Sequence, residues 1–195
     1  MEAEESNKES NPVAVEVAQL LRRIDDGDAS AGGELFQVLY PELRRGAEAQ
    51  MRDQPASHSL QATALVNEAF LRLRRTAAQT FSDRRHFLLA ASRAMRHVLI
   101  DYARKKGALK RGGEVALESL GELVDERDER PYDIEALELA LLELEKRDGN
   151  MAKAVELRFF AGLSPDETAR VLKMPRRSFD RRWRETRDWL RSRLA

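Results

Sequence analysis

The sequence contains no cysteine and only three histidines, and it has no net charge, because 34 basic and 34 acidic side chains cancel. Without cysteine there can be no disulfide and no cysteine-built zinc site. His58, His86 and His97 show no metal-ligand spacing, and no Walker-type phosphate loop is present. Convergent catalytic chemistry is therefore missing, and no enzyme activity, cofactor or small-molecule substrate is expected. Aromatic residues make up only 6 % of the chain, β-branched runs are absent, and Leu, Ala, Arg and Glu dominate. That composition favours helix. No apolar run approaches the roughly 18 residues that a membrane helix needs. The N-terminal "MEAEESNKESN" is acidic and polar, the opposite of a secretory signal. These absences predict a soluble cytosolic protein, all-α, with a length of 195 residues that suits one compact domain or two small ones.

Neutrality hides segregation. From Arg84 to Arg111 the charges are basic apart from Asp101. From Gly112 to Asp148 thirteen acids face four bases. From Lys173 to the end, Lys173 and eight arginines face Asp180, Glu185 and Asp188. Two basic blocks separated by an acidic one suggest two contacts with a polyanion and a connector that avoids it.

Apolar spacing places helices along most of the chain. Val13, Val17, Leu20, Leu21 and Ile24 mark the first, which "DDGD" stops. A second runs from about Glu34, with a bend or restart expected at Pro41. The third covers residues 63–75, with Leu65, Ala69 and Leu73 in one stripe and Asn67, Glu68, Leu71, Arg72 and Arg75 on the other side. A long helix from Arg84 to Lys106 has Leu88, Ala91, Met95, Val98 and Tyr102 as its apolar face and arginines with His97 opposite. From Gly107 to Asp133 the pattern fails, as in a linker, although Leu117, Leu120 and Val124 could form a short amphipathic turn. Beyond it, Ile134, Leu137, Leu141 and Leu144 share a stripe that "DGN" breaks, and Gly162 closes the next helix as a left-handed cap. No strand is expected.

Ser164-Pro165-Asp166-Glu167 has the form of a capping box with proline in the first helical position. After a short helix and the turn "KMP" comes "RRSFDRRWRE", dense in arginine. Phe179, Trp183, Thr186 and Leu190 are spaced as the inward stripe of that last helix, which turns Arg176, Arg177, Asp180, Arg181 and Arg184 outward. A capped helix, a tight turn and a basic helix make a helix-turn-helix, whose second helix suits the DNA major groove. Arginine there can pair with guanine or hold phosphate, and the Ser164 helix start offers amides to a phosphate. Asp180 can accept from cytosine or orient a neighbouring arginine.

The segments "LYPELRRGAEAQM", "TALVNEAFLRL", "HFLLAASRAMRHVLIDYARKKGALKRGG" and "VELRFFAGLSPDETARVLKMPRRSFDRRWRETRDWLRSRL" resemble, in this order, the conserved regions of extracytoplasmic-function (ECF) sigma factors. The resemblance implies a transcription initiation factor that binds core RNA polymerase and directs it to promoter DNA. Its implied domains are a disordered N-terminus at 1–12, a region 2 domain at 13–106, an acidic linker at 107–133 and a region 4 domain at 134–195. Leu65, Asn67, Glu68, Leu71 and Arg72 match positions that bind the polymerase clamp. Arg85, Arg93, Arg96, His97, Arg104 and Lys105 would hold and open the −10 element. Ser164, Arg176, Arg177, Asp180, Arg181 and Arg184 would read the −35 element. Many relatives have Gly at Lys173 and Ser at Pro175. Partners implied are core polymerase, promoter DNA and an anti-sigma protein. The alternative is a helix-turn-helix regulator that works without polymerase, which would make no demand on the surface of residues 63–73.

Overall fold

A computed structural model of the chain describes residues 12–51, 61–75, 81, 83–109, 116–117 and 132–194. Among these residues the fold is built from seven α-helices: α1 Pro12–Asp25, α2 Ala31–Met51, α3 Ala62–Arg75, α4 Arg84–Leu109, α5 Ile134–Val155, α6 Pro165–Val171 and α7 Arg176–Leu194. A π-helical turn, Glu156–Phe160, continues α5. One departure from the all-helical expectation is a two-residue antiparallel pairing. In it β1, Ala116–Leu117, meets β2, Tyr132–Asp133, with Ala116 opposite Asp133. Leu117 therefore belongs to an extended segment and not to a helical turn, while Leu120 and Val124 lie outside the described residues.

In α1, Val17, Leu20 and Leu21 are buried, whereas Val13 faces solvent. "DDGD" ends the helix because Gly27 takes a left-handed φ of +85° that other residues resist. Arg23 then clamps the turn, donating to Asp28 at 2.8 Å and to Glu34 at 2.7 and 2.8 Å. The Ser30 hydroxyl and Arg23 hold the Asp28 carboxyl well below the usual carboxylate range. Helix α2 runs unbroken through Pro41. No restart occurs there, and the exposed position leaves the missing N–H on the solvent side. Phe36 of α2 stacks on Phe70 of α3 at 3.9 Å between ring centroids.

Helix α4 has more than the single apolar face that its spacing suggested. Leu88, Ala91, Met95 and Val98 are buried as expected, but so are Phe87, Leu89, Ser92, Ala94, Arg96, Leu99 and Ile100. The reason is a second layer. The π turn and α5 pack on the side of α4 away from α3, so the core runs without a gap from α1–α4 into α5–α7. Leu137, Leu141 and Leu144 line the α5 side of that core.

The "DGN" break is real. Asp148 has φ −152° and ψ 83°, which kinks α5, and its carboxylate accepts from the Met151 amide at 3.2 Å to restart the helix. Gly162 ends the π turn at φ +67°. The capping box is complete: Ser164 Oγ accepts from the Glu167 amide at 3.2 Å, and the Ser164 amide donates to Glu167 Oε2 at 2.7 Å. Lys173 lies in the left-handed region at φ +53°, which favours glycine.

Candidate functional site

Three surfaces carry the residues singled out by sequence. The first is α3. Leu65, Val66 and Ala69 are buried against the neighbouring helices, and Asn67 and Leu71 face solvent with Glu68 and Arg72 at their edge. Leu71 is 44 % exposed, a large apolar side chain with no packing reason to be there. Leu65 is a correction: it is fully buried, because it sits on the inward stripe, so it holds α3 in place and offers a partner nothing. Arg72 is fixed by Asp101 of α4 at 2.7 Å.

The second surface is a groove of about 800 Å³ between the C-terminal end of α3 and α4. Arg72, Arg75, Arg85, His86, Arg93, His97 and, from α5, Lys153 line it. So many cations and no carboxylate among the lining residues make it attractive to a polyanion. Partial burial and the nearby Arg96 guanidinium push the His97 imidazole below its usual pKa. Arg104 and Lys105 extend the basic surface along the exposed end of α4.

Arg93 and Arg96 are both paired and not free as expected, although Arg93 keeps 43 % of its side chain exposed. Glu156 of the π turn accepts from Arg93 Nε at 3.0 Å and pairs with Arg96 at 3.4 Å, and Arg93 also reaches Glu145 at 3.3 Å. Arg96 is buried at 7 % exposure, because the second helical layer covers this part of α4. Burial pushes the Glu156 carboxyl above its usual range, and the two guanidiniums only partly offset this.

The third surface is α6–turn–α7. Phe179, Trp183, Thr186 and Leu190 are buried, with the Phe179 and Trp183 rings near parallel at 5.8 Å. Arg177, Arg181 and Arg184 project outward. Among the described residues neither Arg177 nor Arg181 is held by an ion pair, so both are available. Arg176 is not: it is bracketed by Asp166 and by Asp180, the latter at 2.8 Å. Asp180 thus orients an arginine in this state. Ser164 also differs from the expectation. Its hydroxyl and amide are consumed by the capping box, and a phosphate approaching there would meet the Glu167 carboxylate.

Several residues that shape these surfaces had escaped the sequence reading. Arg182 joins α7 to the α5 kink through Asp148, and Arg158 lies over the Trp183 ring at 4.6 Å. Burial together with Arg187 and Arg176 depresses the Arg158 pKa. Among the described residues no group of His, Asp and Glu is placed to hold a metal ion, and no helix is long and apolar enough to cross a membrane.

The family model for ECF sigma factors matches residues 14–195, nearly the whole chain. The chain belongs to the ECF sigma factor family. It is therefore a promoter-specificity factor of RNA polymerase, with two helical domains, the second carrying the helix-turn-helix, and it acts by binding and not by catalysis. Its partners are core RNA polymerase and promoter DNA. No curated protein matches the sequence. The family accounts for the segregated charge: both basic surfaces belong to a protein whose work is on DNA.

Proposed function

We propose that residues 13–106 form the domain that binds core polymerase and the −10 element, that 107–133 connect, and that 134–195 read the −35 element. The observation that carries this is α7. Two unpaired arginines, Arg177 and Arg181, stand on its outer face while Phe179 and Trp183 anchor its inner face. A rigid basic helix presented this way fits the major groove, with Arg184 beside it and Arg176 and Asp180 as an adjustable pair. On the other domain, Leu71 with Asn67, Glu68 and Arg72 forms the polymerase contact. Arg85, His97, Arg104 and Lys105 meet −10 DNA, together with Arg93 and Arg96. The site of action is the cytosol, where polymerase and chromosome meet. An anti-sigma protein belongs to the proposal as a further partner, supported by Leu139 and Leu142, which are 69 % and 46 % exposed on α5.

Run-off transcription with core polymerase tests the reading. Wild-type protein should yield transcripts from a defined promoter class, and Leu71→Asp should yield none while remaining helical. Wild-type transcript levels from Leu71→Asp would move the polymerase contact elsewhere.

A further inference from the structure

Acid stands where the rest of the surface is basic. From Lys173 to Arg184 the charged side chains are Lys173, Arg176, Arg177, Arg181, Arg182 and Arg184, with Asp180 as the single carboxylate among them. A second carboxylate, Asp166 of α6, lies beside the start of α7. Arg176, the first residue of α7, joins the two: its Nε donates to Asp180 Oδ1 at 2.8 Å and its Nη1 to Asp166 Oδ1. The side chains of Asp166 and Asp180 are 68 % and 45 % exposed, so neither fills the core, and ion pairs this open to water contribute little to stability.

Electrostatics gives no general reason for the arrangement either. Two carboxylates against one guanidinium leave a negative charge on a surface that meets DNA, where every phosphate repels it. A carboxylate is favourable in the groove only where a base donates to it. Arg176 occupies Oδ1 of Asp180, and among the described residues no other group donates to this carboxylate, which leaves Oδ2 open. Arg176 is itself tethered to α6 by Asp166, so the Asp180 carboxylate is held from both sides of the turn.

Base edges differ in what they offer it. Guanine presents only acceptors to the major groove, and thymine presents an acceptor and a methyl group. Adenine has a donor, but beside the N7 acceptor, which repels a carboxylate. Cytosine alone presents its N4 amino group without a neighbouring acceptor. We infer that Asp180 reads a cytosine of the upstream element through Oδ2, and that Arg176 and Asp166 are positioning residues that hold it for this contact. The inference rests on the reading of α7 as the helix that meets −35 DNA and adds a base to it. Arg176 then serves the carboxylate and not a base of its own.

The test is binding of holoenzyme, carrying the full chain, to promoter duplexes with N4-methylcytosine placed in turn at each cytosine of the −35 element. The methyl group takes the place of the major-groove hydrogen on N4 and leaves the base pair and the opposite guanine intact. The expected result is a roughly tenfold loss of affinity at one cytosine for wild-type protein, and no loss at that cytosine for Asp180→Ala. Asp166→Ala should show a smaller loss there than wild type. The Asp166→Ala/Asp180→Ala double variant should match Asp180→Ala alone, because both residues act through one contact. Equal affinity for plain and methylated duplexes at every cytosine would overturn the inference. Sensitivity to 7-deazaguanine in the opposite strand, with none to the methyl group, would overturn it too, giving a guanine to Arg176 and leaving Asp180 as its tether. Additive losses in the double variant would overturn the positioning role of Asp166. Failure of the −35 reading itself looks different: wild-type holoenzyme would then show no preference for any upstream sequence.

Discussion

Arg182 of α7 grips Asp148 at the kink of α5, with its Nη2 2.5 Å from both carboxylate oxygens and its Nε 3.2 Å from one. The two residues are 34 positions apart in sequence. The same carboxylate accepts from the Met151 amide, so one side chain both restarts a helix and fixes the azimuth of α7. Arg177 and Arg181 point outward only if α7 keeps that rotation.

Asp148→Ala should therefore cost about 1–2 kcal/mol, combining a lost cap with a lost charged hydrogen bond that is partly screened by solvent. Thermal melting should shift down by several degrees, and −35 affinity should fall although no DNA contact has been removed. A melt identical to wild type would show that the clamp contributes nothing.

On α3, Leu65 and Leu71 should respond in opposite ways to the same substitution. Leu65→Asp buries a charge in the core and should unfold the domain. Leu71→Asp should leave the melt within about 0.5 kcal/mol of wild type, as exposed substitutions do, yet abolish co-purification with core polymerase. Folded Leu65→Asp protein, or Leu71→Asp bound to core at wild-type level, would contradict this division of the helix.

The faces of α3 and α7 were legible in the sequence because helical periodicity is local: Phe179, Trp183, Thr186 and Leu190 need only one another to define a stripe. The capping box at Ser164 and the break at "DGN" were legible for the same reason. Arg96 and Glu156 were not. Their partners lie about 60 residues away in sequence, and no local pattern tells an arginine covered by another domain from one facing water. Gly46 was silent too, since the reason for its missing side chain is the Gly162 backbone packed against it. Of the bend or restart expected at Pro41, the restart does not occur, because its place on the solvent face makes the lost hydrogen bond tolerable.

Glu156 predicts a pH dependence whose sign can be worked out. Its folded pKa is raised by burial, so between the ordinary glutamate value and the raised one the folded state holds a proton that the unfolded state has released. Its contribution to stability is fully present below the unfolded value and is lost as pH rises through the folded one. Asp28, Glu34 and Glu167 have lowered pKa values and act in the opposite sense. The difference between wild type and Glu156→Gln isolates the effect: relative to the variant, wild type should lose stability as pH rises through that window. Parallel melting curves from acid to neutral pH would show that Glu156 does not titrate with folding.

Trp183→Ala removes a buried anchor and should cost about 3–5 kcal/mol, enough to melt the C-terminal helices in a protein of ordinary stability. Core polymerase should still bind through α3, so promoter specificity would be lost while polymerase binding persists. An unshifted melt for this variant would mean that the inner face of α7 has been misassigned.

The central claim is that α7 reads the upstream element through its free arginines. The most direct test is promoter selection from a randomised duplex library by holoenzyme carrying wild-type protein or Arg177→Ala. The account predicts that the variant relaxes preference at one base pair of the −35 element, worth about 1–3 kcal/mol, and leaves the −10 preference intact. An unaltered −35 preference, or equal weakening at both elements, would contradict it.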